Sequence, residues 1–403
     1  MELRHRQPYN KAFNQALFER FRTLLSAEVG PVPFRLAETP LFISRELRDL
    51  LARNAVEIVG RLSEPQTLKK LKAAIPGRYA VPGMDALPNC VQVDFALCPA
   101  PGGGLMGQVV ELQAFPSLYA LMEFKTRAWN QVLADVPELK KEWSCYAGLD
   151  DDEARRRIGR MIVGGEDPEH VALVDITPEK QKTSPDFEAT RKLFGVESVC
   201  VTKIIKEGRK LFREKDGKRI PIKRIYNRMV FDELEAKQVT PPWNWNEELD
   251  VTWCSHPNWY WTFSKYSLPA VEHAAIPKTS YLSDLKEIPQ DLHNYVLKPL
   301  FSFAGTGVKV DVTRADVDAV PERDRHAFIL QRKVEYAHAL QMPDGTGVKA
   351  EVRVMLARAP DETAITPVLC LVRLSRGKMI GVDHNKDLAW TGGTVGIWPA
   401  DGR

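Results

Sequence analysis

The chain has 403 residues, 44% of them hydrophobic and 27% charged, which is enough for a sizeable core and for roughly two to three domains. Its 56 Lys and Arg against 53 Asp and Glu leave a formal charge of +3, so no net field draws the whole molecule to nucleic acid or to an anionic membrane. The six cysteines (Cys90, Cys98, Cys145, Cys200, Cys254 and Cys370) form no CxxC pair, which argues against a structural zinc site or a disulfide framework and for a reducing compartment. The first residues, MELRHRQPYNKAFNQALFERF, carry charge throughout and lack the apolar core of a secretory signal. No later stretch has the ~20 apolar residues of a membrane span, and the expected location is the cytoplasm.

In chain order, residues 9–75 repeat apolar side chains at spacings of three and four, from Phe13, Leu17, Phe18, Phe21 and Leu24 to Leu47, Leu50, Leu51, Val56 and Leu62, which predicts helices. VQVDFAL, the turn Gly102-Gly103-Gly104 and GQVVELQAF predict a hairpin. Ser117 to Gly164 returns to a helical pattern, with the acidic run from Asp150 to Glu153 suited to a helix start. HVALVDI, FEATRKLFG, VESVCVT, a charged hairpin around Lys215-Asp216-Gly217 and IKRIYNRM alternate strand with helix and predict a small α/β domain with a largely parallel sheet. The Trp-rich stretch PPWNWNEELDVTWCSHPNWYWTFSKYSLP reads as a linker or crossing. YVLKPLF, AFILQRKV, EVRVMLA, ITPVLCLVRLS and KMIGVDH make the last third strand-dominated.

Two constellations carry chemistry. In YVLKPLFSFAGTGVKV a strand delivers Lys298 and then a loop from Ser302 to Val308 containing Gly305 and Gly307, whose backbone N–H groups could approach phosphate oxygens beside the lysine charge. It is not a Walker A loop, and a glycine hairpin with an incidental lysine is the bland alternative. In the earlier hairpin, Glu111 and Gln113 stand two apart on one strand face, and an antiparallel partner can set Asp94 beside them. Such oxygen donors suit Mg²⁺, while an edge hairpin with solvated acids is the alternative. The eight histidines show no HxxxH or HExxH pattern, and GxSxG is absent.

Together the two constellations resemble the ATP-grasp family in its circularly permuted branch, related to the synthetase domain of glutathionylspermidine synthetase. The metal-binding motif, Asp94 with Glu111-Leu112-Gln113, precedes the lysine and glycine loop instead of following them, and the similarity spans about residues 85 to 398. The resemblance implies an α+β or α/β fold divided into a helical N-terminal region 1–85, a permuted metal-binding hairpin with helices 86–165, a pre-ATP-grasp-like α/β domain 166–250, and nucleotide-binding lobes 251–403. It implies ATP and Mg²⁺, with Asp94, Glu111 and Gln113 on the metal, Gln113 standing where the family has asparagine. Lys265 and Lys298 flank the phosphates, and Ser302, Gly305, Thr306 and Gly307 cover them. Gln331, Arg332, Lys333 and Val334 form a hinge at the adenine. Arg353, with Glu351 beside it, neutralises the transferred phosphate, and Arg373 and Asn385 belong to the closing elements. Asp175 and Arg228 fall near strand ends of the α/β domain, where the acceptor site is shaped, and His256 lies close to Lys265 in sequence.

The expected reaction is ATP-dependent joining of a small-molecule or peptide carboxylate to an amine-type acceptor through an acyl phosphate. An ATP-dependent phosphotransferase, or a nucleotide-binding module whose ligase activity has lapsed, keeps the same fold. An RNA- or partner-binding role for the basic run Lys203–Arg228 is disfavoured, because Glu207, Glu214 and Asp216 interleave with it.

Overall fold

The structure, a computed structural model, describes residues 3–147, 149–301, 306–377 and 388–400. The N-terminal periodicity resolves into helices Leu3–Ala12, Gln15–Val29, Arg45–Leu62 and Pro65–Leu71. Ser44 caps the third, accepting from the Leu47 N–H, and Leu47, Leu51, Ala55, Ile58, Val59 and Leu62 form its buried stripe. Val56, expected in that stripe, instead faces solvent with 37% exposure, because its neighbours Ala55, Ile58 and Val59 define the packed face.

The second of these helices packs on helix Leu121–Leu133, and the third packs on an eight-stranded sheet built from distant parts of the chain. Its spatial order is Leu41–Phe42, Gly392–Pro399, Thr366–Ser375, Gly347–Ala357, Cys90–Pro99, Leu105–Gln113. His338–Gln341 pairs with Gly347–Ala357, and Trp143–Ser144 pairs with Gly392–Pro399. Among the described strands of this sheet only Leu41–Phe42 runs parallel to its neighbour. Cys90–Pro99 is therefore an interior strand, buried at every position but its last, and not half of a free hairpin. Gly107 on its partner is required by packing: a Cβ there would sit 2.3 Å from a Leu51 methyl, so its absence lets the helix lie on the strand.

The α/β domain has the predicted parallel sheet, Thr252–Cys254, Arg224–Asn227, Val171–Asp175, Glu197–Cys200. Thr252–Cys254 comes from the Trp-rich stretch, so that stretch is part of this domain and a boundary at 250/251 would cut its sheet. The reason is hydrophobic: Trp243, Trp245, Trp253 and Trp261 all pack into the same core with Val174, Ile225 and Phe231. The charged hairpin pairs Lys210–Lys215 with Lys218–Ile222, turning at Asp216 and Gly217, both at positive φ. A third sheet, Thr279–Tyr281, Phe328–Arg332, Tyr295–Pro299, Lys309–Val310, forms a small antiparallel lobe. Among the described residues no helix is long and apolar enough to cross a membrane.

Candidate active site

The Asp94 strand sits between the Arg353 strand and the Glu111 strand, with Asp94 directly opposite Arg353 on one side and Glu111 on the other. Across the Arg353 strand, Glu351 lies opposite Arg373. The register slips between Asp94 and Phe95, so that Phe95 faces Val109 and Val110 is the extra residue of a bulge. The bulge resets the alternation: Val109 is buried before it and Leu112 after it, which turns Glu111 and Gln113 together to the open face.

The same bulge frees the Val110 carbonyl, which accepts from Lys298 Nζ at 2.8 Å. Lys298 also donates to Gln331 Oε1 at 2.6 Å, and Gln331 in turn donates to Thr279 Oγ1. Lys265, buried in a 3₁₀ turn, places Nζ 3.8 Å from Glu111 Oε1. Two ammonium groups from well over a hundred residues later in the chain thus meet the acidic strand from its first third, across the junction of the central sheet and the small lobe. The open edge of the Glu111 strand is covered by the segment that carries Lys265: Val109 N–H donates to Ala275 O and Ala114 N–H to Phe263 O.

Behind these groups lies an arginine–carboxylate network. Arg353 forks onto Asp94, Nε to Oδ1 at 2.5 Å and a terminal nitrogen to Oδ2 at 2.7 Å, and gives a third bond to Gln92 Oε1 at 2.8 Å. Arg373 bonds to both Asp94 Oδ2 and Glu351 Oε1, and the Tyr336 hydroxyl donates to Glu351 Oε2. Because Gln92 Oε1 already accepts from Arg353, Gln113 must present its NH₂ to that oxygen, at 2.6 Å, which points its own carbonyl oxygen away.

The electrostatics follow from this packing. Burial alone would raise Asp94, but the Arg353 and Arg373 guanidiniums outweigh it and hold the carboxyl below its usual range. Burial pushes Glu351 up, with the charges of Asp94 and Glu111 adding to it against the two arginines. Lys298 falls to about 8, chiefly from burial, with Lys265 adding to the fall and Glu111 opposing it.

Of the residues singled out in the sequence, the structure brings together Asp94, Glu111, Gln113, Lys265, Lys298, Gln331, Glu351, Arg353 and Arg373. Asp94, expected on a metal, has both oxygens held by arginines and is 1% exposed, because an interior strand desolvates it and only cations at its flanks keep it ionised. Segment 333–337 connects the last small-lobe strand to His338–Gln341 of the central sheet, a lobe-to-lobe link where the hinge was expected. The Arg332 and Lys333 side chains at its start turn outward, however, while Tyr336 turns in to Glu351. Arg332 pairs with Asp291 and Lys333 with Asp311, while the Arg332 and Lys333 N–H groups already donate to Lys278 O and Asn294 O.

Thr306 and Gly307 are exposed beyond the Lys298 strand. Gly307 needs its lack of a side chain, with φ at +74° and a Cβ site 2.9 Å from Pro299. Ser302, Gly305, Asn385 and the stretch 378–384 lie outside the described residues.

Three other expected site residues are engaged in scaffold contacts. Arg228 bonds to Pro116 O and Thr183 Oγ1 and lies over the Phe115 and Phe187 rings. Asp175, pushed up to about 7 by burial, accepts from its neighbour's Ile176 N–H and from Gln181. His256 accepts from Asn258 N–H at Nδ1, so its Nε2–H donates to Pro82 O at 2.9 Å, and burial lowers its pKa. Sequence reading missed Gln92 and Tyr336. Gln92 had a signal, a second polar residue two before Asp94 in an otherwise apolar strand. Tyr336, in an irregular link, had none.

No family model matches the sequence, and no curated protein does. Among solved structures, a glutathione synthetase-like effector from Globodera pallida, determined in its apo form, superposes with a TM-score of 0.57 at 11% sequence identity. The match covers 91% of this chain and 96% of that one. The likeness is one of fold: the two chains share a mixed α+β architecture.

Proposed function

We propose that the protein is an ATP-dependent carboxylate ligase of permuted ATP-grasp type, joining a carboxylate to an amine-type acceptor through an acyl phosphate. The observation that carries this reading is the convergence of Lys265 and Lys298 on the bulged Glu111 strand at the junction of two lobes. Two ammonium groups there, one buried and one partly buried, suit the oxygens of a triphosphate and spread the charge that develops in phosphoryl transfer.

Among the described residues no three His, Cys, Asp or Glu side chains are grouped to hold a metal by themselves. The donors present nonetheless fit Mg²⁺ in its nucleotide-bridged form, which takes one or two carboxylates with phosphate and water. Glu111 and Gln113 stand half-exposed on one face, and the Gln113 carbonyl oxygen is turned away from Gln92. Glu111 and Gln113 would hold the ion. Mg²⁺ bound there would neutralise phosphate charge.

The sequence expectation gave the transferred phosphate to Arg353. Arg373 is the better candidate, since its side chain is 24% exposed against 9% for Arg353, whose donors are spent on Asp94 and Gln92. In this reading Asp94 and Arg353 position Arg373, Lys298 and Lys265 orient the phosphates, and the 306–307 turn beyond the Lys298 strand helps exclude water from the acyl phosphate.

The test is ADP release from ATP and Mg²⁺ over panels of amino acids, amines and small peptides. Lys298→Ala and Glu111→Ala should each abolish turnover in a folded protein, and turnover equal to wild type in both would remove the assignment. The closure of Asp94 by two arginines favours one second reading, a nucleotide-binding module without ligation. It predicts saturable ATP binding with no ADP formed on any panel.

A further inference from the structure

Two strands share one edge of the Gly347–Ala357 strand. Cys90–Pro99 pairs with it from Ala357 to Glu351, and His338–Gln341 takes over from Lys349 to Gly347. The 333–337 link from the small lobe therefore reaches the central sheet beside Glu351, where one neighbour leaves and the other arrives. Its end is pinned there, because the Ala337 N–H donates to Leu97 O at 2.8 Å. Tyr336, one residue earlier, donates its hydroxyl to Glu351 Oε2 at 3.2 Å.

That bond sets how Glu351 meets Arg373. A carboxylate facing a guanidinium tends to close a two-bond fork, as Asp94 does with Arg353. Glu351 instead gives Arg373 only Oε1, since its other oxygen is drawn to Tyr336. Asp94 Oδ2 accepts from the same terminal nitrogen of Arg373, Nη2. Two carboxylates are thus served by one nitrogen, and Nη1 and Nε of Arg373 have no hydrogen-bond partner among the described residues. Arg353, by contrast, has all three of its nitrogens bonded. With 24% of its side chain exposed, Arg373 keeps its two unspent donors for the cleft.

Removing the Tyr336 hydroxyl leaves Oε2 of a buried carboxylate without its donor, which is costly. The unspent nitrogens of Arg373 are already beside it and can replace the lost bond, closing the fork and withdrawing the guanidinium from the cleft. We infer that Tyr336 is a positioning residue for the terminal phosphate of the nucleotide: by holding Glu351 to a single oxygen on Arg373, it keeps that guanidinium open toward the phosphate. The inference rests on the nucleotide reading of the site proposed above, with Arg373 as the arginine that faces the transferred phosphate.

The test is calorimetric titration with a non-hydrolysable ATP analogue and, separately, with ADP, both with Mg²⁺, so that no turnover is needed. Tyr336→Phe keeps the ring and should keep the wild-type melting profile. It should weaken the ATP analogue by at least about fivefold and ADP by less than about twofold, because only the analogue carries the phosphate that Arg373 faces. The loss should vanish in two backgrounds that break the chain of contacts: Glu351→Ala and Arg373→Lys should each bind the analogue equally well with and without Tyr336→Phe. A purely structural role for the tyrosine leaves its effect intact in both. The inference is overturned if Tyr336→Phe binds the analogue as wild type does, if it weakens both nucleotides alike, or if its effect persists undiminished in either background. A Tyr336→Phe protein that melts far below wild type assigns the hydroxyl to folding and overturns it too. Wild type that binds the analogue with Tyr336→Phe unchanged removes this inference alone, whereas wild type that binds neither nucleotide removes the nucleotide reading along with it.

Discussion

Lys298 offers the sharpest test of the phosphate reading, because its charge is set by its surroundings. Burial and Lys265 bring it to about 8, so the free protein carries this ammonium at neutral pH and loses it in mild alkali. The phosphates of ATP are ionised throughout that range. If only the protonated lysine holds them, the ATP dissociation constant is flat below pH ~7 and rises by about one decade per pH unit above ~8, about tenfold between pH 7 and 9. Lys298→Arg stays charged and should abolish the alkaline loss, whatever it does to the absolute affinity. Fluorescence or calorimetric titration with a non-hydrolysable ATP analogue from pH 6.5 to 9.5 reads both curves. A flat wild-type curve, or an arginine variant that tracks it, would refute the role given to Lys298. Stability has its own sign: an unfolded lysine titrates near 10.4, so between about 8 and 10.4 the unfolded chain binds more protons. The stability contributed by this position therefore rises with pH across that window and is lowest below it.

The remaining expectations are more local. Asp94→Asn should lower the urea-unfolding free energy by about 3–5 kcal/mol at pH 7, since it leaves Arg353 buried without its counter-charge; adding Arg353→Met should restore a large part of the loss. The depressed Asp94 pKa means that its stabilising contribution is present above about pH 3.9 and disappears as pH falls through the lower folded value, which acid titration of wild type against Asp94→Asn would show. Gln113→Leu should raise the Mg²⁺ concentration needed for half-maximal ADP release by about tenfold, while Gln113→Asn should keep the metal dependence close to wild type. Asp186→Ala should cost about 2–4 kcal/mol in the same urea assay, because this carboxylate caps the Leu121–Leu133 helix from another element, accepting from the N–H groups of Leu118, Ala120 and Leu121.

What could be read in advance divides along physical lines. Period-two alternation located the Asp94, Glu111, Arg353 and Arg373 strands, because each is long and carries polar residues at isolated positions among apolar ones. The same logic failed for the Trp-rich stretch, whose single short strand, Thr252–Cys254, is held by neighbours a local pattern cannot see. Pairing was the harder matter. Glu111 and Gln113 share a face by spacing alone, but that they face outward depends on the bulge at Val110, which is set by the partner strand and not by the residues themselves. Arg228 and His256 show the same limit: the sequence marks a charged or titratable residue near a strand end but not its backbone partners, Pro116 O and Pro82 O.

The electrostatic state of the site explains why these groups tolerate one another at close range. Four cations, Lys265, Lys298, Arg353 and Arg373, stand among three carboxylates, Asp94, Glu111 and Glu351, and no group is left far from an opposite charge. The balance is uneven inside the cluster. Asp94 takes both arginines and is held ionised, whereas Glu351 shares one of them and is pushed toward its neutral form, as is Lys298 on the opposite wall. The two shifts point outward in complementary senses: a cation near Glu351 would restore its charge, and an anion near Lys298 would restore that of the ammonium. Under the function proposed here, a metal–triphosphate would bring both signs together and so would relieve both groups at once.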